Sequence, residues 1–122
     1  MMFDVNVSAW IAGAVLYMVY GGIYYSILLG KKDQAQGGAV KYVVAVLVAF
    51  ISSFSVGLLI QMTGGENAAE GALVGGIIGL LIGLVYLKNA LFGMITRRMF
   101  IVAIGDHLVI FTLLGTLHGL FL

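Results

Sequence analysis

Residues 71–87 read GALVGGIIGLLIGLVYL, a run that contains no charged side chain. Counted from Ala68 to Lys88, the run reaches the roughly 20 residues that a helix needs to cross the hydrocarbon core of a bilayer. Its apolar residues are continuous rather than alternating, which argues against a strand of a membrane barrel. The run therefore predicts a transmembrane helix over residues 68–88.

Three further stretches are also long, apolar and nearly free of charge, at residues 5–30, 42–65 and 99–122. They predict three more helices, over residues 6–29, 39–62 and 99–121. The composition agrees, because 62% of the 122 residues are hydrophobic and only 9% are charged, whereas about a quarter of a soluble domain is charged. The sequence thus predicts an all-α polytopic membrane protein, with residues 1–122 as a single transmembrane domain in a compact four-helix bundle.

The positive charges lie on one side of the predicted membrane. All Lys and Arg residues fall in or beside the first and third connections: Lys31, Lys32, Lys41, Lys88, Arg97 and Arg98. The other side carries the acidic residues Asp4, Glu66 and Glu70. Because short cytoplasmic loops are enriched in Lys and Arg, we predict a protein of the bacterial cytoplasmic (inner) membrane, with basic loops in the cytoplasm and both termini outside.

Small residues form rows on two predicted helices. On the third helix they recur every four residues, as Gly71, Gly75, Gly79 and Gly83. On the fourth helix one face carries Gly105, Gly115 and Gly119. Such rows let helix backbones approach closely in lipid, where the hydrophobic effect contributes little to helix association. Both rows are therefore candidates for helix packing, either within one bundle or between copies of the chain.

One carboxylate interrupts the apolar fourth helix. The stretch AIGDHLVIF, residues 103–111, contains Asp106 and His107 side by side. A charged group at bilayer depth costs at least a few kcal/mol, so Asp106 is expected to face protein or water. The first helix runs antiparallel, which places Tyr20 and Tyr24 at the depth of Asp106, where a phenol can donate to the carboxylate. These four residues form the predicted polar intramembrane site.

Two interpretations of this site are open. In the first, Asp106 is a buried polar clamp that fixes how the fourth helix packs against the first. In the second, Asp106 and His107 belong to a titratable site in a water-filled pathway, which binds a cation or relays a proton. His118, nearer the end of the same helix, is interpreted as an interfacial residue rather than as a ligand.

No enzyme signature is recognisable. An intramembrane aspartyl protease needs a second carboxylate close to the first, and none is expected beside Asp106. A Ser–His dyad is disfavoured, because Ser53 and Ser55 lie nearer the outside than His107 and have no oxyanion motif. His107 and His118 are roughly 16 Å apart along one helix, too far to share a metal. We therefore expect no catalytic residue, cofactor, metal or nucleic-acid partner.

Two stretches carry a family resemblance. GGIYYSILLGKK, residues 21–32, resembles the Gly-x-x-(Trp/Tyr)-Tyr-Ser-x-x-Leu-Phe-Gly-Lys stretch of small bacterial four-helix membrane proteins grouped as domain of unknown function 1761. MFIVAIGDHLVIFTLLGTLHGLF, residues 99–121, resembles the closing helix of that family. Ile27 stands where the family often has Pro, and Phe121 stands where it has Trp. The resemblance implies four helices over nearly the whole chain and implies no activity.

The functional hypothesis is a small channel-like or carrier-like homo-oligomer with a titratable intramembrane Asp–His site, acting on a small ion or solute. Oligomerisation is part of the hypothesis, because a four-helix chain of 122 residues can scarcely enclose a pathway alone. The alternative is a non-transporting scaffold or regulatory subunit that binds lipid or a partner membrane protein through its glycine-rich helix faces. The lipid bilayer is a partner in both.

Overall fold

The computed structural model describes residues 5–28 and 38–122 of the chain. These residues form four helices: α1 (Val7–Leu28), α2 (Gly38–Met62), α3 (Ala68–Leu91) and α4 (Arg97–Leu120). The two described ranges contain no β-strand. The prediction of an all-α fold with four transmembrane helices is confirmed.

The helix bounds are close to the predicted ones. Helix α3 continues about one turn beyond the predicted end, to Leu91, and α4 begins two residues early, at Arg97. The predicted end of the first helix at residue 29 lies outside the described residues, as do Asp4, Lys31 and Lys32. Continuous hydrophobicity therefore located the helices well, and the differences are confined to their ends.

Local sequence explains where α3 and α4 begin and where α3 ends. The Asn67 side chain accepts a hydrogen bond from the backbone N–H of Glu70 at 2.9 Å. The Thr96 hydroxyl likewise accepts from the N–H of Met99 at 3.1 Å. Such caps satisfy N–H groups that have no partner in the first turn of a helix. Gly93 follows α3 with φ +78°, a conformation that favours glycine and ends the helix.

Helix length and surface both suit a membrane. The helices contain 22 to 25 residues, which corresponds to about 33–38 Å at the usual rise per residue. The hydrocarbon core is about 30 Å thick. Large apolar side chains point outward, among them Ile51 at 64% exposure and Leu73 at 65%. All four described helices are long and apolar enough to cross a membrane, and the chain is a multi-pass membrane protein.

Helix α4 lies at the centre of the bundle. It packs against α1, α2 and α3, most extensively against α3, whereas α1 and α3 share no contact in the described part of the chain. The core is formed by α2 and α4 and consists of Val56, Ile60, Ile110, Phe111 and Leu114. A polar side chain on α4 therefore has neighbouring helices on several sides.

The two ends of the bundle differ in charge. Within the described residues, one end holds the cations Lys41, Lys88, Arg97 and Arg98, and we call it the basic end. The opposite end holds Glu66 and Glu70, and we call it the acidic end. At the basic end the Arg98 guanidinium donates to the backbone carbonyl of Leu28 at 3.1 Å. This bond ties the last turn of α1 to the first turn of α4.

Candidate functional site

The carboxylate of Asp106 is held between α1 and α4. Asp106 is only 7% exposed, and its Oδ2 accepts a hydrogen bond from the Tyr25 hydroxyl at 2.6 Å. A bond to a carboxylate is among the stronger hydrogen bonds in proteins. Tyr25 was not part of the predicted site, and it is the residue that contacts the carboxylate.

The two tyrosines predicted for the site lie nearby but donate elsewhere. The Tyr20 hydroxyl donates to the backbone carbonyl of Gly105 at 3.1 Å, and the Tyr24 hydroxyl donates to that of Val102 at 2.7 Å. Their rings stack with centroids 5.5 Å apart. A β-carbon on Gly105 would collide with the Tyr24 hydroxyl, so this glycine admits the tyrosine to the α4 backbone. Tyr20 and Tyr24 thus fix α1 against α4.

His107 faces α3 while remaining close to Asp106. Its ring stacks on Tyr86 with centroids 5.3 Å apart and an interplanar angle of 18°. Its Nδ1 lies 3.8 Å from Oδ2 of Asp106, beyond hydrogen-bond distance. That nitrogen is buried and has no hydrogen-bond partner among the described residues. Oδ2 of Asp106 therefore lies between the Tyr25 hydroxyl and an imidazole nitrogen with unused bonding capacity.

A cleft opens between α1 and α2 and reaches Asp106. Its volume is about 760 Å³, within the range typical of small-molecule sites. Helix α1 contributes Tyr17, Met18, Gly21, Gly22, Tyr25 and Ser26, and α2 contributes residues from Lys41 to Val48. Asp106 is the residue that α4 contributes. The carboxylate therefore lines a space that begins near the basic end and extends into the depth of the membrane.

The α2 wall of the cleft is the exposed first part of that helix, near the basic end. Over residues 39–48 of α2 every side chain is exposed except that of Lys41, which is half-buried. Gly21 and Gly22 face this region, and a β-carbon built on either glycine would meet no atom within 4 Å. These two glycines leave space open instead of bringing helices together.

The family model described as protein of unknown function (DUF1761) matches residues 8–119 of the chain. The chain belongs to this family. No curated protein and no solved structure matches the chain. In this DUF1761 protein, the two stretches that carry the resemblance meet at the cleft, because Gly21, Gly22, Tyr25 and Asp106 all line it.

The DUF1761 chain has a second polar cluster near the acidic end, which sequence reasoning missed. The Ser53 hydroxyl donates to the backbone carbonyl of Trp10 at 2.9 Å and lies 3.1 Å from Nε2 of His118. Ser53 is fully buried and His118 is 4% exposed, so the His118 side chain is enclosed by the helices, and its depth in the membrane stays a prediction. Because the Ser53 hydroxyl donates to Trp10, the tautomer of His118 that carries its proton on Nε2 completes this pair of hydrogen bonds.

A small cavity adjoins this cluster. Its volume is about 20 Å³, and its lining includes His118, Asn6 and Gln61. That volume is enough for about one water molecule. The cluster therefore joins α1, α2 and α4 through hydrogen bonds and offers no space for an organic ligand.

The glycine rows of α3 and α4 lie against each other. Gly71 approaches the backbone of Gly115, and Gly75 approaches the carbonyl of Phe111. A β-carbon built on Gly119 would lie 2.5 Å from the carbonyl oxygen of Asn67 and 2.7 Å from Cα of Ala68. Further along the interface, Gly79 faces Leu108 and Gly83 faces Ile104. The rows bring two helices of the same chain together, and Gly105 faces α1 instead.

The described part of the DUF1761 chain has no cluster of three or more His, Cys, Asp or Glu side chains that could hold a metal ion. Asp106 and His107 offer two donor groups at most, and they belong to adjacent residues whose side chains point to different helices. The chemistry available at the cleft is therefore that of one carboxylate, its phenol partner and a nearby imidazole. Such a set can bind a cation or exchange a proton.

Proposed function

We propose that this protein is a small channel-like or carrier-like membrane protein that binds a proton or a cation at Asp106 and moves it across the bilayer. The observation that carries the proposal is the position of Asp106, whose carboxylate lines the cleft between α1 and α2. A carboxylate placed at membrane depth is costly. A purely structural clamp has no need of a cleft of about 760 Å³ beside it.

The groups around the carboxylate support exchange. Oδ2 of Asp106 accepts a hydrogen bond from the Tyr25 hydroxyl at 2.6 Å. Nδ1 of His107 lies 3.8 Å from the same oxygen. Binding of a proton to the Asp106 carboxylate or to the His107 imidazole changes the charge that the cleft presents to a ligand. Tyr25 holds the carboxylate in place, and His107 lies on the side toward α3, where it stacks on Tyr86. Asp106 is thus the binding group and His107 its titratable neighbour.

Homo-oligomerisation is a second part of the proposal. The cleft reaches Asp106 and Tyr17, while the buried side chains of Val56, Ile60 and Leu114 fill the middle of the bundle. A passage to the acidic end therefore requires rearrangement or a second copy. Val40, Val43 and Leu47 of α2 are exposed and do not line the cleft, and this face of α2 is the surface we assign to a neighbouring copy.

We further propose that the protein resides in the bacterial inner membrane with its basic end in the cytoplasm, following the distribution of Lys and Arg. In this orientation the cleft opens near the cytoplasmic leaflet and both termini lie outside. No step of the proposed function makes or breaks a covalent bond other than to a proton, so the protein acts without enzymatic chemistry.

The experiment is proton flux in liposomes that carry the purified protein and a trapped pH-sensitive dye. A pH gradient is expected to collapse faster with the wild type than in empty vesicles. Asp106→Asn is expected to lose most of this flux, because the amide keeps the shape of the side chain and an oxygen that can accept from Tyr25, but it carries no negative charge and takes up no proton near neutral pH. Glu70→Gln, which neutralises an exposed acid at the acidic end, is the matched control and is expected to behave as wild type.

If Asp106→Asn and His107→Gln retain the flux of the wild type and lose only stability, the polar-clamp interpretation is correct. A scaffold that acts through the glycine-rich faces is the less supported alternative. The row on α3 is covered by α4 within the chain, with Gly71 and Gly75 against the α4 backbone. A scaffold would have to use another surface, such as the exposed face of α2 that includes Val40, Val43 and Leu47.

A further inference from the structure

We propose that the α1–α2 cleft binds a lipophilic cation, an ammonium or phosphonium ion with apolar substituents, with its positive charge beside Asp106. This inference rests on the proposed function and names the class of ligand. It is argued from the chemistry and the shape of the lining. It is tested by direct binding, so that its failure is distinguishable from a failure of transport.

The lining is mainly apolar and wide enough for an organic cation. Met18 of α1 and Val44, Val46 and Val48 of α2 provide aliphatic walls. A hydrated inorganic ion would gain nothing from such walls, whereas an ion with apolar substituents buries them there. The volume of about 760 Å³ is also far larger than a single inorganic ion occupies.

The charge and the rings favour a cation at the inner end. Asp106 is the one acid among the described residues that line the cleft. Tyr17 and Tyr25 line it as well, and aromatic faces together with a carboxylate are typical of sites for organic ammonium ions. Lys41 also lines the cleft, at the rim formed by the first turn of α2 at the basic end. An anion at the inner end would face the carboxylate, so charge complementarity selects a cation there.

Gly21 and Gly22 provide the space for the ligand. Glycine in a helix is less stable than alanine by about 0.5–1 kcal/mol, and close packing usually accounts for its use in membrane helices. Both glycines line the cleft, and a β-carbon built on either one would meet no atom within 4 Å. No close helix contact within the described chain explains these two glycines. Their effect is to widen the cleft beside Tyr25 and Asp106.

The experiment measures equilibrium binding of two probes to the full-length protein in nanodiscs, with empty nanodiscs subtracted. Tetraphenylphosphonium and tetraphenylborate have nearly the same shape and opposite charge. We expect saturable binding of tetraphenylphosphonium to the wild type. Asp106→Asn is expected to weaken it about tenfold or more, since losing one partner of a desolvated charge pair costs at least that much.

Gly22→Phe tests the same site without changing its charge. The ring is expected to fill the cleft and to weaken phosphonium binding by a similar factor. Ile23→Phe is the matched control, because Ile23 is the next residue of α1, is 58% exposed and does not line the cleft. It is expected to bind as wild type. Helix content and a monodisperse elution profile verify that each variant is folded.

The proposal is overturned if tetraphenylphosphonium shows no saturable binding, or if Asp106→Asn and Gly22→Phe both bind it as the wild type does. It is also overturned if tetraphenylborate binds more tightly and Lys41→Gln abolishes that binding, which would identify an anionic ligand at the rim. Asp106-dependent proton flux without phosphonium binding would leave the proposed function standing and remove the lipophilic cation. Phosphonium binding without any flux would leave the lipophilic-cation site standing and remove the proposed transport function.

Discussion

The two hairpins of this protein pack in opposite ways. Helices α3 and α4 lie backbone against backbone along most of their length, with Gly71, Gly75 and Gly115 in the contact. Helices α1 and α2 are joined by hydrogen bonds of Trp10 to Phe50 and Ser53 and leave the cleft beside Gly21 and Gly22 toward the basic end. Glycine is abundant in both hairpins, and it brings helices together in one and keeps space open in the other.

The α1–α2 hairpin is closed at the acidic end, where side-chain contacts join its two helices. The Trp10 indole N–H donates to the backbone carbonyl of Phe50 at 2.9 Å, and the ring packs edge-on against Phe50 and Phe54. Gly13 admits the Ser53 side chain between the helices. These contacts all lie toward the acidic end. They hold α1 and α2 together there and leave the hairpin open toward the basic end.

Gly75→Ala in the α3–α4 hairpin should have the largest effect. The new methyl group would collide with the carbonyl oxygen of Phe111 and would lie 3.1 Å from Cα of Thr112. Both are backbone atoms that cannot rotate away, so the helices must separate. We expect a loss of about 2–3 kcal/mol in the free energy of unfolding, measured by denaturation in mixed micelles.

The neighbouring glycine provides the control for this prediction. A β-carbon on Gly76 would lie 3.6 Å from the Thr112 hydroxyl, an ordinary contact, so Gly76→Ala should cause no loss in the free energy of unfolding and a gain of at most about 0.5–1 kcal/mol from the backbone preference for alanine. Equal losses for the two variants would show that the contact of Gly75 with the α4 backbone does not set the cost of the added methyl group.

The sequence predicted the helices because the signals for them are local. Continuous apolar runs locate each span, and the caps at Asn67 and Thr96 depend on residues three positions apart. Asp106 was predicted as a site residue because it is the acid within an otherwise apolar run. Its partner could not be predicted, since Tyr24 and Tyr25 point about 100° apart on a helix. The rotation of α1 about its axis decides between them, and that rotation is set by tertiary contacts.

The cleft and the Ser53–His118 pair depend on tertiary contacts more strongly than the choice of the Asp106 partner does. The angle between α1 and α2 follows from which contacts form at the acidic end, not from any pattern within either helix. His118 and Ser53 are 65 positions apart, and neither has a local signal for burial. The sequence does carry one signal for the cleft, because Gly22 stands outside any four-residue repeat of the kind seen from Gly71 to Gly83.

An intermediate effect is expected for Ser53→Ala at the closed end of the α1–α2 hairpin. The substitution leaves the carbonyl of Trp10 and Nε2 of His118 without the hydroxyl that lies between them. Polar bonds between membrane helices contribute about 0.6 kcal/mol on average and up to about 1.7 kcal/mol. Because Ser53 joins two partners at a fully buried position, we expect a loss of about 1–1.5 kcal/mol in the same denaturation experiment.

Ser55→Ala is the matched control, because Ser55 lies two positions along the same helix and is exposed. Its expected effect is close to zero. If both serine variants unfold as the wild type does, the hydrogen bonds at Ser53 do not hold the hairpin closed. The aromatic contacts of Trp10 would then carry that role alone.

The smallest effect, and the one whose sign matters most, is expected for Gly22→Ala at the open end. The added methyl group meets no atom within 4 Å, so only the backbone preference for alanine remains. That preference predicts a gain of up to about 0.5–1 kcal/mol in the free energy of unfolding. Gly13→Ala in the same helix is the comparison, since its methyl group would collide with Ser53 and lie 3.1 Å from Leu114. A loss is expected there.

A loss at Gly22 as large as that at Gly75 would mean that the space beside Gly22 is filled in the membrane. A helix of a second copy would be the occupant that fits, because close backbone contact is what makes an added methyl group costly. The cleft would then be part of a subunit interface, and binding of an organic cation there would require that interface to open. A gain at Gly22 places the open end of α1 and α2 in contact with lipid or ligand, both of which yield to a methyl group.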